Sequence, residues 1–300
     1  MRTSPMKRLL LLLVLMYACF VALADSSHAE FKIGSGSFTF TDQKGDPEKP
    51  ISVWYFKPPQ YSGSSPVLFV MHGMQRNAQE YRDQWISYAR QYGVLLVVPE
   101  FSEKAYPDEG YAQGNMFDSR ARPMPENRSG FALVEHLFDY VRAQNNNHSS
   151  DYYLYGHSAG GQFVHRMLLF RPEARIRRAV AANPGFYTLP RFVETFPYGL
   201  EQTGLASEML QRAFGKELTL LLGERDTLEN QKNLNKSVGA MKQGSQRFSR
   251  GMNFFRVAQE ESARRGLSLE WKLRTVPAAG HSNSQMAAAA AQALFENNRK

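Results

Sequence analysis

The period of apolar and polar residues changes repeatedly along the chain, and each change marks an element. Residues 37–41 and 51–56 alternate one for one, as strands with one covered face do, and the Gly-, Pro- and charge-rich stretch 42–50 turns between them. Val67–Met71 and residues 94–98 are instead unbroken apolar runs. Such runs suit strands buried on both faces of a parallel sheet, and Pro99 is expected to close the second. Residues 78–91 carry the 3.6-residue spacing of a helix. Further on, strands at 152–155, 178–182, 217–222 and 270–276 alternate with helices at 131–142, Ala159–Phe170, 251–265 and Asn283–Phe295. This alternation predicts an α/β chain with a mostly parallel, doubly wound sheet flanked by helices. Ligands in such sheets bind beyond the carboxyl ends of the strands. Residues 103–130, polar and broken by Pro107, Pro123 and Pro125, predict a long excursion of the kind that often lines a binding site.

The first residues follow a different rule. Arg2, Lys7 and Arg8 precede an apolar stretch at 9–23 and the small-x-small sequence Ala22-Leu23-Ala24, the three-part pattern of a secretory signal peptide. The apolar run is short for a membrane span and no second one follows, so a cleaved leader over residues 1–24 is expected, with no stable anchor afterwards. The product is expected to be secreted or periplasmic. Residues 25–300 then form one catalytic domain, for which a chain that is 43% hydrophobic has enough core material. Cys19, the only cysteine, leaves with the leader, which excludes disulfides, a cysteine nucleophile and thiolate metal ligands. Loss of Arg2, Lys7 and Arg8 takes the formal charge from +8 to +5. The remaining basic residues are scattered rather than arrayed with aromatics, so a solvated surface is expected and not a nucleic-acid interface. No pair of histidines has ligand spacing beside a carboxylate on one helix face, so neither a metal nor another cofactor is expected.

Gly156-His157-Ser158-Ala159-Gly160 stands between a predicted strand and a predicted helix. A serine hydroxyl is a weak nucleophile that must be presented and activated. A sharp strand-to-helix turn presents Ser158, glycines keep neighbouring side chains out of that turn, and the helix N-terminus favours nearby negative charge. Ser158 is therefore the expected nucleophile. His281, in Ala278-Ala279-Gly280-His281-Ser282 just after the last strand, is the expected base. Asp226, reached from strand 217–222 through Gly223-Glu224-Arg225, is the expected acid that orients the imidazole, with Glu224 and Glu229 as neighbouring competitors. Two backbone N–H groups complete such a site: that of Ala159 and, from the loop His72-Gly73-Met74-Gln75-Arg76-Asn77, that of Met74. His72 is read as a brace for this loop. Tyr106, Tyr111, Met116, Phe117, Phe186 and Tyr187 are candidates for the pocket wall.

His72-Gly73, the 156–160 turn, Asp226 and His281 together resemble the α/β-hydrolase superfamily over about residues 51–295. His72-Gly73-Met74-Gln75-Arg76-Asn77-Ala78 is similar to the oxyanion loop of the poly(3-hydroxybutyrate) depolymerase and feruloyl-esterase-like group. The resemblance implies an α/β-hydrolase fold, ester cleavage through an acyl-enzyme, and action outside the cytoplasm on a small-molecule or polymeric ester. The chain departs from that group in lacking a Ser/Thr-rich linker to a separate substrate-binding domain, and the disulfides common in fungal feruloyl esterases cannot form. A serine peptidase on the same scaffold and a catalytically idle hydrolase fold used for binding remain open alternatives.

Overall fold

The computed structural model describes residues 30–107, 109–118 and 122–296, so the leader expected over residues 1–24 lies outside the described residues. Eight strands, β1 (Gly34–Phe40), β2 (Ile51–Lys57), β3 (Val67–Met71), β4 (Leu95–Glu100), β5 (Tyr152–His157), β6 (Ile176–Ala182), β7 (Leu218–Gly223) and β8 (Lys272–Val276), form one sheet in the order β1-β2-β4-β3-β5-β6-β7-β8. β1, β2 and β4 pair antiparallel and every later pairing is parallel. The sequence pattern explains the placing. β3, β5 and β7 are buried at every position, as unbroken apolar runs require, whereas edge strand β1 alternates.

Helices cover both faces. On one side α1 (Ala78–Tyr92) brings Trp85 and Ala89, and the last helix (Asn283–Phe295) brings Met286, Ala290 and Leu294, into one buried cluster with Val70, Leu96 and Tyr155. On the other, Phe138 of the helix Gly130–Gln144 meets Phe69 and Tyr152 edge-on at 6.3 and 4.9 Å between ring centroids. Each such fully buried side chain contributes about 1.5–3 kcal/mol.

Four local readings are corrected or extended. Pro99 does not close β4 but lies within it, opposite Val53. The parallel ladder from β3 ends at Phe69 and Val97, so Pro99 sits where only one neighbouring strand remains, a position that tolerates a missing donor. The polar stretch after Gly223 holds a short helix, Val238–Gln243, and another, Ser207–Phe214, precedes β7. The helix expected at 251–265 starts earlier, at Arg247. Gln246 caps it by accepting the Ser249 N–H at 2.8 Å while Ser249 Oγ reaches back, a capping box built from Gln and Ser. The core of the excursion after β4 is held by a short helix, Glu109–Ala112, which the polar sequence did not announce.

Candidate active site

The loops after β3, β5, β6, β7 and β8 all leave the same edge of the sheet, and the candidate residues lie on four of them. Ser158 follows β5 with φ 57° and ψ −113°, and opens the helix Ala159–Phe170. The conformation costs on the order of 1–3 kcal/mol and persists because the surroundings dictate it. The two glycines are explained by distance. A Cβ on Gly156 would lie 2.1 Å from the carbonyl oxygen of Gly160, and one on Gly160 would lie 2.0 Å from that of Met71. Only bare backbone lets helix, β5 and β3 meet this closely. The Ser158 N–H donates to Ala182 O at 2.9 Å, so the turn is also tied to β6.

The hydrogen-bond chain of the site is short and direct. Ser158 Oγ lies 2.9 Å from His281 Nε2, and His281 Nδ1 lies 2.7 Å from Asp226 Oδ2. Glu224, by contrast, is exposed and accepts from Thr275 Oγ1 at 2.8 Å, and Glu229 is exposed as well. The geometry thus places Asp226, and not its two competitors, on the imidazole. Asn183 holds the loops that carry this pair. Its amide donates to Gly280 O at 3.0 Å and its Oδ1 accepts the Gly223 N–H at 2.8 Å.

Asp226 is 1% exposed, and its second oxygen faces Arg247 Nη1 at 3.6 Å, an ion-pair distance rather than a hydrogen bond. Arg247 is itself buried and is held by Gln231 and by Asn233, whose Oδ1 accepts from Nη2 at 2.9 Å. Burial pushes its guanidinium below the ordinary arginine value, and the Asp226 charge pulls it back up. A buried carboxylate beside a buried cation avoids most of the cost of an isolated charge.

The loop after β3 is braced from below. His72 donates from Nδ1 to Gly73 O at 2.9 Å and accepts the Phe101 N–H on Nε2 at 3.0 Å. Burial holds its imidazole down at about 4. Arg76 adds bonds to Phe101 O at 2.6 Å and Tyr106 O at 3.0 Å. The Tyr81 hydroxyl, itself held up by burial, takes the Gly73 N–H and lies 2.9 Å from His157 Nδ1. His157 in turn lies against His281, with ring centroids 4.9 Å apart. Met74 is at the tip of this loop and lines the cavities on both sides of Ser158; Ala159 is the first residue of the helix behind it.

Those cavities measure about 270 and 250 Å³. Gln113, Gln162, Phe186, Lys232, Asn235 and Arg247 surround the first; Glu80, Gln84, His157, His281 and Asn283 contribute to the second. The aromatic wall expected from sequence is largely a core feature. Tyr106, Tyr111 and Tyr187 are 2%, 0% and 0% exposed, Met116 and Phe117 line a different groove, and only Phe186 of the six faces Ser158. Arg247, Tyr81 and Asn183 escaped sequence reading. The first two sit on helices at spacings that fit ordinary surface and core residues, and Asn183 lies just past a strand with no motif around it.

No protein-family model and no curated protein sequence matches the chain. Among solved structures, poly(aspartic acid) hydrolase-1 from Sphingomonas sp. KT-1 is similar at 38% identity and a TM-score of 0.85, over 88% of this chain and 100% of that one. LpqC, a poly(3-hydroxybutyrate) depolymerase from Bordetella parapertussis, is similar at 34% identity and a TM-score of 0.85, over 89% and 90%. An S-formylglutathione hydrolase from Agrobacterium tumefaciens shares the fold at 17% identity and a TM-score of 0.54, over 88% of this chain and 94% of that one. With these likenesses spanning nearly the whole of the two nearer structures, the chain is a hydrolase and belongs to the α/β-hydrolase superfamily, in the group that resembles the polymer hydrolases.

Proposed function

We propose that this hydrolase cleaves carboxylic esters through an acyl-enzyme on Ser158, with His281 as general base and acid and Asp226 as the carboxylate that orients it. The unbroken chain from Ser158 Oγ to His281 Nε2 and from His281 Nδ1 to Asp226 carries the reading. His281 takes the Ser158 proton as Oγ attacks the ester carbonyl, and the C–O bond to the alcohol breaks as His281 returns that proton to the leaving alkoxide. Water then attacks the acyl-Ser158 carbonyl by the same route and releases the acid. The N–H groups of Ala159 and Met74 receive the negative charge that builds on the carbonyl oxygen, aided by the N-terminus of the helix Ala159–Phe170. His72, Arg76 and Tyr81 fix the Met74 loop before substrate arrives, so that little reorganisation is needed in the transition state.

The site works on the enzyme's own side chains and water; no metal or other cofactor is required by these steps. Export is proposed from the leader pattern of residues 1–24. A second reading has one observation behind it: the likeness to a poly(aspartic acid) hydrolase, together with Lys232, Arg247 and several amides around the 270 Å³ cavity, favours amide cleavage in an acidic chain.

Labelling with a fluorophosphonate tests the mechanism. The wild type is expected to become covalently modified at Ser158, and Ser158→Ala to stay unmodified; folded wild type that does not react overturns the reading. Turnover of p-nitrophenyl acetate set against that of oligo-aspartate then separates ester from amide cleavage.

A further inference from the structure

Two buried arginines fasten one exposed loop beside Ser158. Residues 227–237, between Asp226 and the helix Val238–Gln243, form neither helix nor strand. Arg247 and Arg250 stand one turn apart at the start of the helix Arg247–Arg264 and are 2% and 0% exposed. Arg247 Nη2 donates to Asn233 twice, to its backbone oxygen at 3.2 Å and to Oδ1 at 2.9 Å, while Nη1 donates to Gln231. Arg250 Nη2 donates to Asn235 O at 2.8 Å, and Leu234, buried between the two tied residues, anchors the loop.

This arrangement leaves one group unused. A guanidinium only donates, so the side-chain atom of Asn233 that meets Arg247 is its oxygen, and the NH2 group points elsewhere. Among the described residues Asn233 Nδ2 donates to no protein group. Asn233 is exposed, so these donors meet solvent in the free enzyme.

The place of Asn233 decides what they meet in the complex. Among the described residues three line both the 270 and the 250 Å³ cavity: Ser158, Met74 and Asn233. The carbonyl under attack by Ser158 therefore lies at the border of the two cavities, and its two substituents extend one into each. His281 lines the 250 Å³ cavity and not the other. Because His281 returns the proton to the leaving alkoxide, the alcohol part lies in the 250 Å³ cavity and the acyl part lies beside Phe186 and Gln162.

Resting on the acyl-enzyme reading above, we propose that Asn233 donates an amide N–H to the alkoxy oxygen of the ester and stabilises the charge that builds there as the C–O bond breaks. Of the two ester oxygens, the carbonyl oxygen has the N–H groups of Ala159 and Met74, whereas the alkoxy oxygen has only His281. A donor held at the border is left with the alkoxy oxygen to serve. The bonding electrons pass to that oxygen, which takes the His281 proton, and Asn233 keeps its own. Arg247 and Arg250 order the loop before substrate arrives, so the donor needs little rearrangement in the transition state. Arg247 also faces Asp226 at 3.6 Å, so one guanidinium supports both the acid and the donor at the leaving group.

The test compares Asn233→Ala and Asn233→Asp with the wild type on ethyl acetate and p-nitrophenyl acetate. The two esters share an acyl group and differ in the alcohol. The nitrophenyl ring spreads the leaving charge, whereas ethoxide carries it on one oxygen, so loss of a donor to that oxygen weighs on the ethyl ester. Asn233→Asp keeps an oxygen for Arg247 and lacks the N–H, which separates the donor from the fastening of the loop. Both variants are expected to lower kcat/KM for ethyl acetate about tenfold more than for p-nitrophenyl acetate, the size of a hydrogen bond to a charged oxygen. Both are expected to label with fluorophosphonate at Ser158, since an exposed side chain is changed and no buried group is left unpaired. Equal losses on the two esters, no loss on ethyl acetate, a loss in Asn233→Ala that Asn233→Asp restores, or loss of labelling in both variants overturns the proposal. Failure of the acyl-enzyme reading shows separately, as absence of fluorophosphonate labelling in the wild type.

Discussion

Three histidines make the stability of this enzyme depend on mild acid. His72, His157 and His165 are 0%, 4% and 0% exposed. Burial holds each neutral: His72 titrates at about 4 instead of 6.5, and His157 and His165 are held well below the ordinary value, helped by the charges of His281 and Arg247 on the one and of Arg166 on the other. Two of them use a bare ring nitrogen as acceptor, His72 for the Phe101 N–H and His165 for the Thr188 N–H, each at 3.0 Å. The sign follows from these shifts. Between about pH 4 and 6.5 the unfolded chain binds protons that the native chain refuses, so stability is complete above the unfolded value and falls as pH drops through this window. At 1.36 kcal/mol per unit, His72 alone accounts for about 3 kcal/mol by pH 4. With all three titrating only on unfolding, the slope near pH 5.5 approaches three protons, about 4 kcal/mol per pH unit, against a total stability of about 5–15 kcal/mol for an ordinary domain. Asp46, Asp139 and Glu261, whose carboxylates are held down by arginine and lysine partners against the opposing effect of burial, add their loss only at lower pH. Urea unfolding at half-unit steps from pH 5 to 8 measures the slope, and His165→Met is expected to reduce it by about one proton whatever it does to the baseline. A slope below one proton between pH 6.5 and 5, or one unchanged by His165→Met, refutes the reasoning.

Other consequences are more local. Gly160→Ala forces a Cβ to within 2.0 Å of Met71 O, so helix and β3 must part by about 1 Å; kcat/KM for p-nitrophenyl acetate is expected to fall roughly 100-fold, and retention within twofold would show that the contact is soft. Asp226→Asn is expected to lower kcat by roughly 10⁴-fold while Glu224→Gln leaves it within twofold, measured on the same ester; the reverse order refutes the assignment of the acid. Arg247→Met leaves the Asp226 charge buried without its counter-ion and is expected to cost about 3–5 kcal/mol in urea unfolding, and unchanged stability would mean that the 3.6 Å pair contributes nothing.

What could be read from the sequence was whatever local periodicity or crowding dictates. β3 appears at its observed bounds because an unbroken run of five apolar residues has no other place than between two covered faces. The Gly156–Gly160 spacing is legible for the same kind of reason: backbones packed so closely that a Cβ would lie about 2 Å from a carbonyl oxygen admit no other residue, so the motif records a close approach. The pocket aromatics failed because the period of the excursion says nothing about which way a ring turns. Tyr111 could face substrate or core, and the stack of Phe101, Tyr111 and Phe163, with centroids 5.0 and 5.6 Å apart, takes it inward.

The sequence singles out Asp226 but leaves Glu224 and Glu229 as competitors and gives no sign of Arg247, for one shared reason. Glu224 and Asp226 stand two residues apart in a polar run, and their separation depends on how the chain leaves β7. The Glu224 N–H still donates to Val276 O at 3.1 Å, which continues the ladder to β8 and turns the Glu224 side chain out to Thr275. The turn tightens one step later, with Asp226 N donating to Gly223 O at 3.0 Å, and this points the Asp226 side chain back at His281. The turn is then clamped from 22 positions further on, where Phe248 N donates to Asp226 O at 3.2 Å and Arg247 beside it faces the carboxylate. Two features that no local window contains, the end of a strand ladder and a helix N-terminus returning over it, decide together which carboxylate reaches His281. Asp226 and its counter-ion are therefore one structural unit, and a substitution at Arg247 should be felt at His281 through Asp226 as well as in the cavity that Arg247 lines.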